Sequence, residues 1–157
     1  MTEEIEHTPI KTDIGSSIEC HLACCRLPSF PAETCLIVSF TGIIENDSSY
    51  ETGYRYMHSM IGDGFAACNP ATLILDLKGL EYESGDQMIK MVDQRIITKV
   101  VVSEINRTGL TSLIRDTLFL NPVTELFDSV CDALLACDSA YDDFLRGGRK
   151  KIMAADF

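Results

Sequence analysis

The residues best placed to do chemistry in this chain sit in one short stretch, Glu81-Tyr82-Glu83-Ser84-Gly85-Asp86, directly after the apolar run Leu73-Ile74-Leu75-Asp76-Leu77. A serine followed by glycine, ahead of the helix-forming residues Met88, Met91, Val92 and Ile96, admits two readings. In the first, Ser84 caps a helix by accepting a hydrogen bond from the backbone, and Gly85 eases the turn. In the second, Ser84 is an exposed acceptor for phosphate, which at a helix N-terminus meets unsatisfied N–H groups and the positive end of the helix dipole. Glu81, Glu83 and Asp86 oppose the second reading, because phosphorylation brings about two further negative charges into the same loop.

Cys20-His21 and Cys24-Cys25 form a second constellation, one with zinc-ligand residue types. Tetrahedral sites normally draw two ligand pairs from turns. Here Ile18, Cys20, Leu22 and Cys24 alternate with Glu19, His21, Ala23 and Cys25, so the four candidates project to opposite faces of a strand. Core residues are the expectation, and no metal site. Nucleophilic catalysis needs a serine or cysteine with a base in reach. His7 falls in the N-terminal arm, and His58 lies off the apolar stripe of a helix. Neither a Gly-x-Ser-x-Gly elbow nor a phosphate-binding glycine loop is present. Asp128, Asp132, Asp142 and Asp143 read as solvated helix faces. No cofactor and no catalytic residue is expected.

These residues need a frame, and the hydrophobic pattern supplies one. Residues 18–27 alternate as a half-buried strand, which Pro28-Ser29-Phe30-Pro31 breaks. Thr34 to Ile44 is β-branched and almost wholly apolar, as a strand covered on both faces should be. Asn46-Asp47-Ser48-Ser49 offers a helix N-cap. Tyr50, Tyr54, Met57, Ile61 and Phe65 then recur at helical spacing, with Gly62 and Gly64 weakening the last turn and Asn69-Pro70 ending it. Ala71 to Leu77 is a buried strand and Thr98 to Ser103 another. Leu110, Leu113 and Ile114 mark a short helix, and Leu118-Phe119-Leu120 suggests a last strand. Asn121-Pro122 opens a final helix with Val123, Leu126, Phe127, Val130 and Leu134 inward. The pattern predicts a single α/β domain, a mixed sheet of about four to five strands with helices packed on it. A loose arm over 1–16 precedes the domain at 17–145, and a basic flexible tail occupies 146–157, with Arg146, Arg149, Lys150 and Lys151.

Bulk composition narrows the partners. The chain has 157 residues, a formal net charge of −11, 46% hydrophobic and 24% charged residues. Such an acidic chain is a poor match for a phosphate backbone or an anionic membrane surface, and no apolar run reaches the ~18 residues that span a bilayer. Its N-terminus lacks a secretory pattern. The odd count of seven cysteines in apolar runs predicts reduced, buried thiols and a cytoplasmic location.

With the hairpin of 18–27 and 36–44, the long helix, Leu73–Tyr82, the Ser84-Gly85 loop, Val100-Val101-Val102, Leu118–Leu120 and Ala133-Leu134-Leu135 in that order, residues 17–137 resemble the STAS domain (sulphate transporter and anti-sigma factor antagonist). The resemblance rests on element order and hydrophobic spacing. It implies a non-enzymatic regulatory or scaffold domain that binds another protein, such as a kinase, an anti-sigma-like partner or another signalling protein. It also implies a switch by serine phosphorylation, for which only Ser84 holds a matching position. Glu83, Ser84, Gly85 and Asp86 would form the interaction loop. Against the family's Asp-Ser-Ser/Thr-Gly-Leu pattern, the loop is one residue short, Glu83 replaces the aspartate and Asp86 replaces the apolar residue. Two alternatives stand beside this reading. One is a small enzyme resembling the crotonase and Clp-protease type of α/β spiral, in which backbone N–H groups form an oxyanion hole. The other is a domain that dimerises through a sheet edge or helix face.

Overall fold

The computed structural model describes residues 3–4, 18–44, 50–81, 96–116 and 120–155. They form a mixed α/β sheet whose six strands lie in sequence order: β1 (Glu3–Glu4), β2 (Glu19–Leu27), β3 (Phe30–Ile43), β4 (Thr72–Glu81), β5 (Ile97–Val101) and β6 (Leu126–Phe127). β1 and β2, and β2 and β3, pair antiparallel, whereas β3, β4, β5 and β6 run parallel. Parallel neighbours require crossovers. α1 (Tyr50–Cys68) carries the chain from β3 to β4, and α2 (Arg107–Asp116) and α3 (Pro122–Glu125) lie between β5 and β6. α4 (Val130–Ala155) closes the chain.

Each sheet face has its own cover. Leu22, Leu36, Val38, Phe40, Leu73, Leu75, Leu77 and Leu80 project to one side and meet Tyr54, Met57, Met60 and Ile61 of α1 and Leu110, Leu113 and Ile114 of α2. On the other side Ala23, Cys25, Leu27, Cys35, Ile37, Ile74 and Val101 meet Ala133 and Cys137 of α4. β3 and β4 are therefore apolar on both faces, as two-sided cover demands. α1 comes close to β3 because position 64 is glycine: a Cβ there would stand 2.8 Å from Leu36 Cδ2. Asn69, at φ 46°, provides the left-handed residue that ends α1, and its N–H reaches Phe65 O at 2.9 Å.

The structure corrects several expectations. Cys24 and Cys68 are joined in a disulfide, so these two are not the reduced thiols expected. α1 lies over the Cys24 face of β2, which brings the last residue of the helix to a Cα–Cα separation of 6.2 Å, within disulfide range. The single helix expected from Asn121-Pro122 is two helices with a strand between them. Asn121 caps α3 by accepting from Val123 N, Leu126-Phe127 then pairs with Val100-Val101, and Ser129 Oγ accepts from Asp132 N to start α4 afresh. Val123, expected to face inward, is exposed. β4 continues past Leu77 to Glu81, whereas β5 ends at Val101, short of Ser103. Apart from these corrections, Glu3–Glu4 pairs with Cys24 and Ala23, and the backbone of 146–155 is helical as part of α4. Leu120 is outside any strand, and its N–H is bonded to Ile114 O. The expected cap at 46–49, the helix from Met88, and residues 118–119 lie outside the described residues.

Candidate functional site

The strand that leads to the Ser84 loop does not run straight to its end. Between Ser39 and Thr41 the register against β4 moves from Asp76 to Gly79, so β4 spends one more residue than β3. Such a bulge shifts the alternation, and the inward residues accordingly run Leu73, Leu75, Leu77 and then Leu80. Gly79 sits against Thr41, where a Cβ would approach Thr41 Cγ2 to 2.7 Å.

Asn106 holds this irregular end in place. Its fully buried side chain donates from Nδ2 to Leu77 O at 2.7 Å and to Leu80 O at 2.8 Å, and Oδ1 accepts from Ser103 N at 2.9 Å. The residue also caps α2, since its carbonyl accepts from Leu110 N. One amide thus fixes the carboxyl end of β4, the end of β5 and the start of α2 together. Buried polar groups of this kind are retained where every partner is supplied.

Two apolar side chains stand exposed around that end. Ile43 pairs with Glu81 in the β3–β4 ladder and is 46% exposed, and Ile105, beside Asn106, is 68% exposed. Ile44 N donates to Glu81 O at 3.2 Å and so continues the pairing to the last residue of β4. The carboxyl ends of parallel strands are where open α/β sheets place their ligand-binding loops.

A polar row crosses the sheet nearby. His21, Ser39 and Asp76 are lateral neighbours on β2, β3 and β4, on the face that α4 covers elsewhere. Ser39 Oγ donates to Asp76 Oδ2 at 3.2 Å, Lys78 N donates to Asp76 Oδ1 at 3.2 Å, and Lys78 Nζ lies 3.6 Å from Asp76 Oδ2. Serine stands between histidine and aspartate, so the row lacks the serine–histidine–aspartate sequence of contacts by which a base activates a nucleophile. On β5 Lys99 is buried, and its ammonium donates to Thr124 O at 3.0 Å and to both Glu125 oxygens at 3.2 Å. That contact pins α3 to β5.

The sequence-derived candidates Glu83, Ser84, Gly85 and Asp86 lie outside the described residues; the chain leaves β4 toward them at Glu81. Cys20, His21, Cys24 and Cys25 alternate across β2 as their spacing predicted, and Cys24 is taken up by Cys68. Among the described residues no three or more His, Cys, Asp or Glu side chains are grouped to hold a metal, and no helix is long and apolar enough to cross a membrane. Asn106, Lys99 and the Ser39–Asp76 contact escaped the sequence reading. Asn106 carried one local signal, a side chain able to cap the helix at Arg107. The long-range partners of all three become visible only in the fold.

Fold and site together define a small α/β domain with a five-strand mixed sheet, extended by the two-residue β1, and helices packed on it. No known protein-family model matches the chain, and no curated protein matches it.

Proposed function

We propose that this domain is a STAS-like regulatory or scaffold module that acts by binding another protein, with the carboxyl end of β4 and the loop beyond it as the contact surface. One observation carries the reading: exposed Ile43 and Ile105 flank a strand end that Asn106 fixes in position, at the point where the Ser84 segment begins. Exposed apolar side chains on a rigid base can bury area in a partner, and that burial contributes about 25 cal/mol per Å² before association costs are counted. A phosphate on Ser84 would bring negative charge to this surface and alter the partner's electrostatic match. The order of parallel strands and crossover helices also supports a STAS-like arrangement.

Ser84→Ala and Ser84→Asp test the reading. Both variants should keep the circular-dichroism spectrum and urea midpoint of the parent while changing which proteins are retained on the immobilised domain. Identical retention by parent, Ser84→Ala and Ser84→Asp would contradict it.

A further inference from the structure

We propose that Cys35 and Cys137 form a peroxide-responsive dithiol, a site of reversible disulfide formation that fastens α4 to the sheet. Five cysteines are free, and three of them, Cys25, Cys35 and Cys137, meet under α4. Cys25 and Cys35 are direct cross-strand partners on β2 and β3. The Cys35 side chain packs in the same cluster as Cys25 and Cys137, and its thiol points toward Leu36 O at 3.8 Å. Cys35 and Cys137 are fully buried. The Thr72 hydroxyl adjoins the same thiols, is itself buried and makes no well-formed hydrogen bond. Three thiols and a buried hydroxyl thus meet in an otherwise apolar interface.

The three thiols are not equivalent. Cys137 is the one whose thiolate is favoured, because Cys35, Thr72 and the Lys99 ammonium all act to lower its pKa. Cys35 is pushed up to about 12, chiefly by its contact with Cys137, and Cys25 is raised as well. The thiolate is the nucleophile in sulfur chemistry, which makes Cys137 the sulfur that reacts first and Cys35 the one that resolves it. The oxidant class is a small, uncharged hydroperoxide, able to enter a closed interface through local opening. Cys137 sulfur attacks one peroxide oxygen, the O–O bond breaks, and sulfenic acid and one water are formed. The Cys35 sulfur then displaces hydroxide from the Cys137 sulfur, and this hydroxide leaves as a second water with the Cys35 proton. Two thiols lose two electrons and hydrogen peroxide gains them.

The test uses the full chain carrying Cys131→Ser, which removes the exposed thiol and leaves Cys24–Cys68 intact. After hydrogen peroxide treatment the protein is unfolded, alkylated and peptide-mapped. The four remaining free thiols should fall to two, with one cross-linked peptide joining position 35 to position 137. Cys25→Ser should leave that cross-link intact. Cys35→Ser should stop at a Cys137 sulfenic acid, read as a dimedone adduct. A cross-link joining Cys25 to Cys35, consumption of Cys20 in place of Cys137, or no loss of thiols under conditions that fully oxidise free cysteine would overturn the proposal.

Discussion

Asn106 shows how much of this domain hangs on single side chains. Truncating it leaves Leu77 O, Leu80 O and Ser103 N without their partner. Each buried group so orphaned costs roughly 1–3 kcal/mol, and partial relaxation makes the sum less than additive. Asn106→Ala should therefore lower unfolding free energy by about 3 kcal/mol, read from urea titration, and Asn106→Asp should not restore it because a carboxylate cannot donate to the two carbonyls. A thiol gives a second expectation at this scale. Cys20 is pushed up to about 12 by burial and by Asp63, from an ordinary value of 9.0. A raised folded-state pKa means that the native state holds the proton longer than the unfolded chain. The stability this confers is complete below about pH 9 and is lost as pH rises toward 12. Urea midpoints measured from pH 8 to pH 11 should be level at first and then decline; a midpoint that rises with alkalinity would contradict the assignment.

Element boundaries follow local chemistry closely where one residue decides them, and poorly where two chemistries share one pattern. The strands over Glu19–Leu27 and Thr72–Leu77 and the helix over Tyr50–Cys68 were legible because alternation or helical spacing ran unbroken through their buried residues. Leu126, Phe127, Val130 and Leu134 also fit helical spacing, yet Leu126-Phe127 is a strand. Pairing to Val100-Val101 overrides the local pattern there, and Ser129 restarts the helix. The bulge in β4 was written in the sequence as the step from Leu77 to Leu80, but it can be recognised only once Thr41 is seen opposite Gly79. The disulfide was not legible, because Cys24 and Cys68 have a sequence separation of 44 and meet only when α1 packs. Ser84 was legible as a residue type, but the packed sheet gives only the strand end from which its loop departs. Gly62 and Gly64, in the last turns of α1, make this scale testable. A Cβ at Gly62 meets nothing within 4 Å, whereas one at Gly64 presses on Leu36, a fully buried side chain. Gly62→Ala should stabilise by about 0.5–1 kcal/mol through helix propensity. Gly64→Ala should lose that gain and destabilise by about 1 kcal/mol from overpacking. Equal shifts in thermal midpoint for the two variants would show that α1 does not approach β3 as described.

Over the whole molecule, two fastenings hold the outer layers to the sheet. Cys24–Cys68 ties the end of α1 to β2, while Ser29, donating to Asp138 at 2.8 and 2.7 Å, and the Phe30–Tyr141 ring contact tie the β2–β3 turn to α4. Opening the disulfide restores conformational freedom to a long loop in the unfolded chain, a term worth up to about 4 kcal/mol for a loop of this size. Dithiothreitol should lower the unfolding free energy, read from urea titration, by an amount approaching that value, and Cys68→Ser should reproduce the loss without reductant. Both fastenings lie toward the amino end of β4; the carboxyl end is held by Asn106, and the central claim is that the proposed partner binds there. Comparing Ile105→Asp with Val123→Asp tests that claim most directly. Both residues are exposed and apolar, but only Ile105 stands beside the end of β4. Retention of partner proteins on the immobilised domain, quantified by mass spectrometry against the parent, should fall at least tenfold for Ile105→Asp, which is roughly 1.4 kcal/mol of binding free energy, and stay level for Val123→Asp. Level retention for Ile105→Asp, or an equal loss for both, would contradict the account.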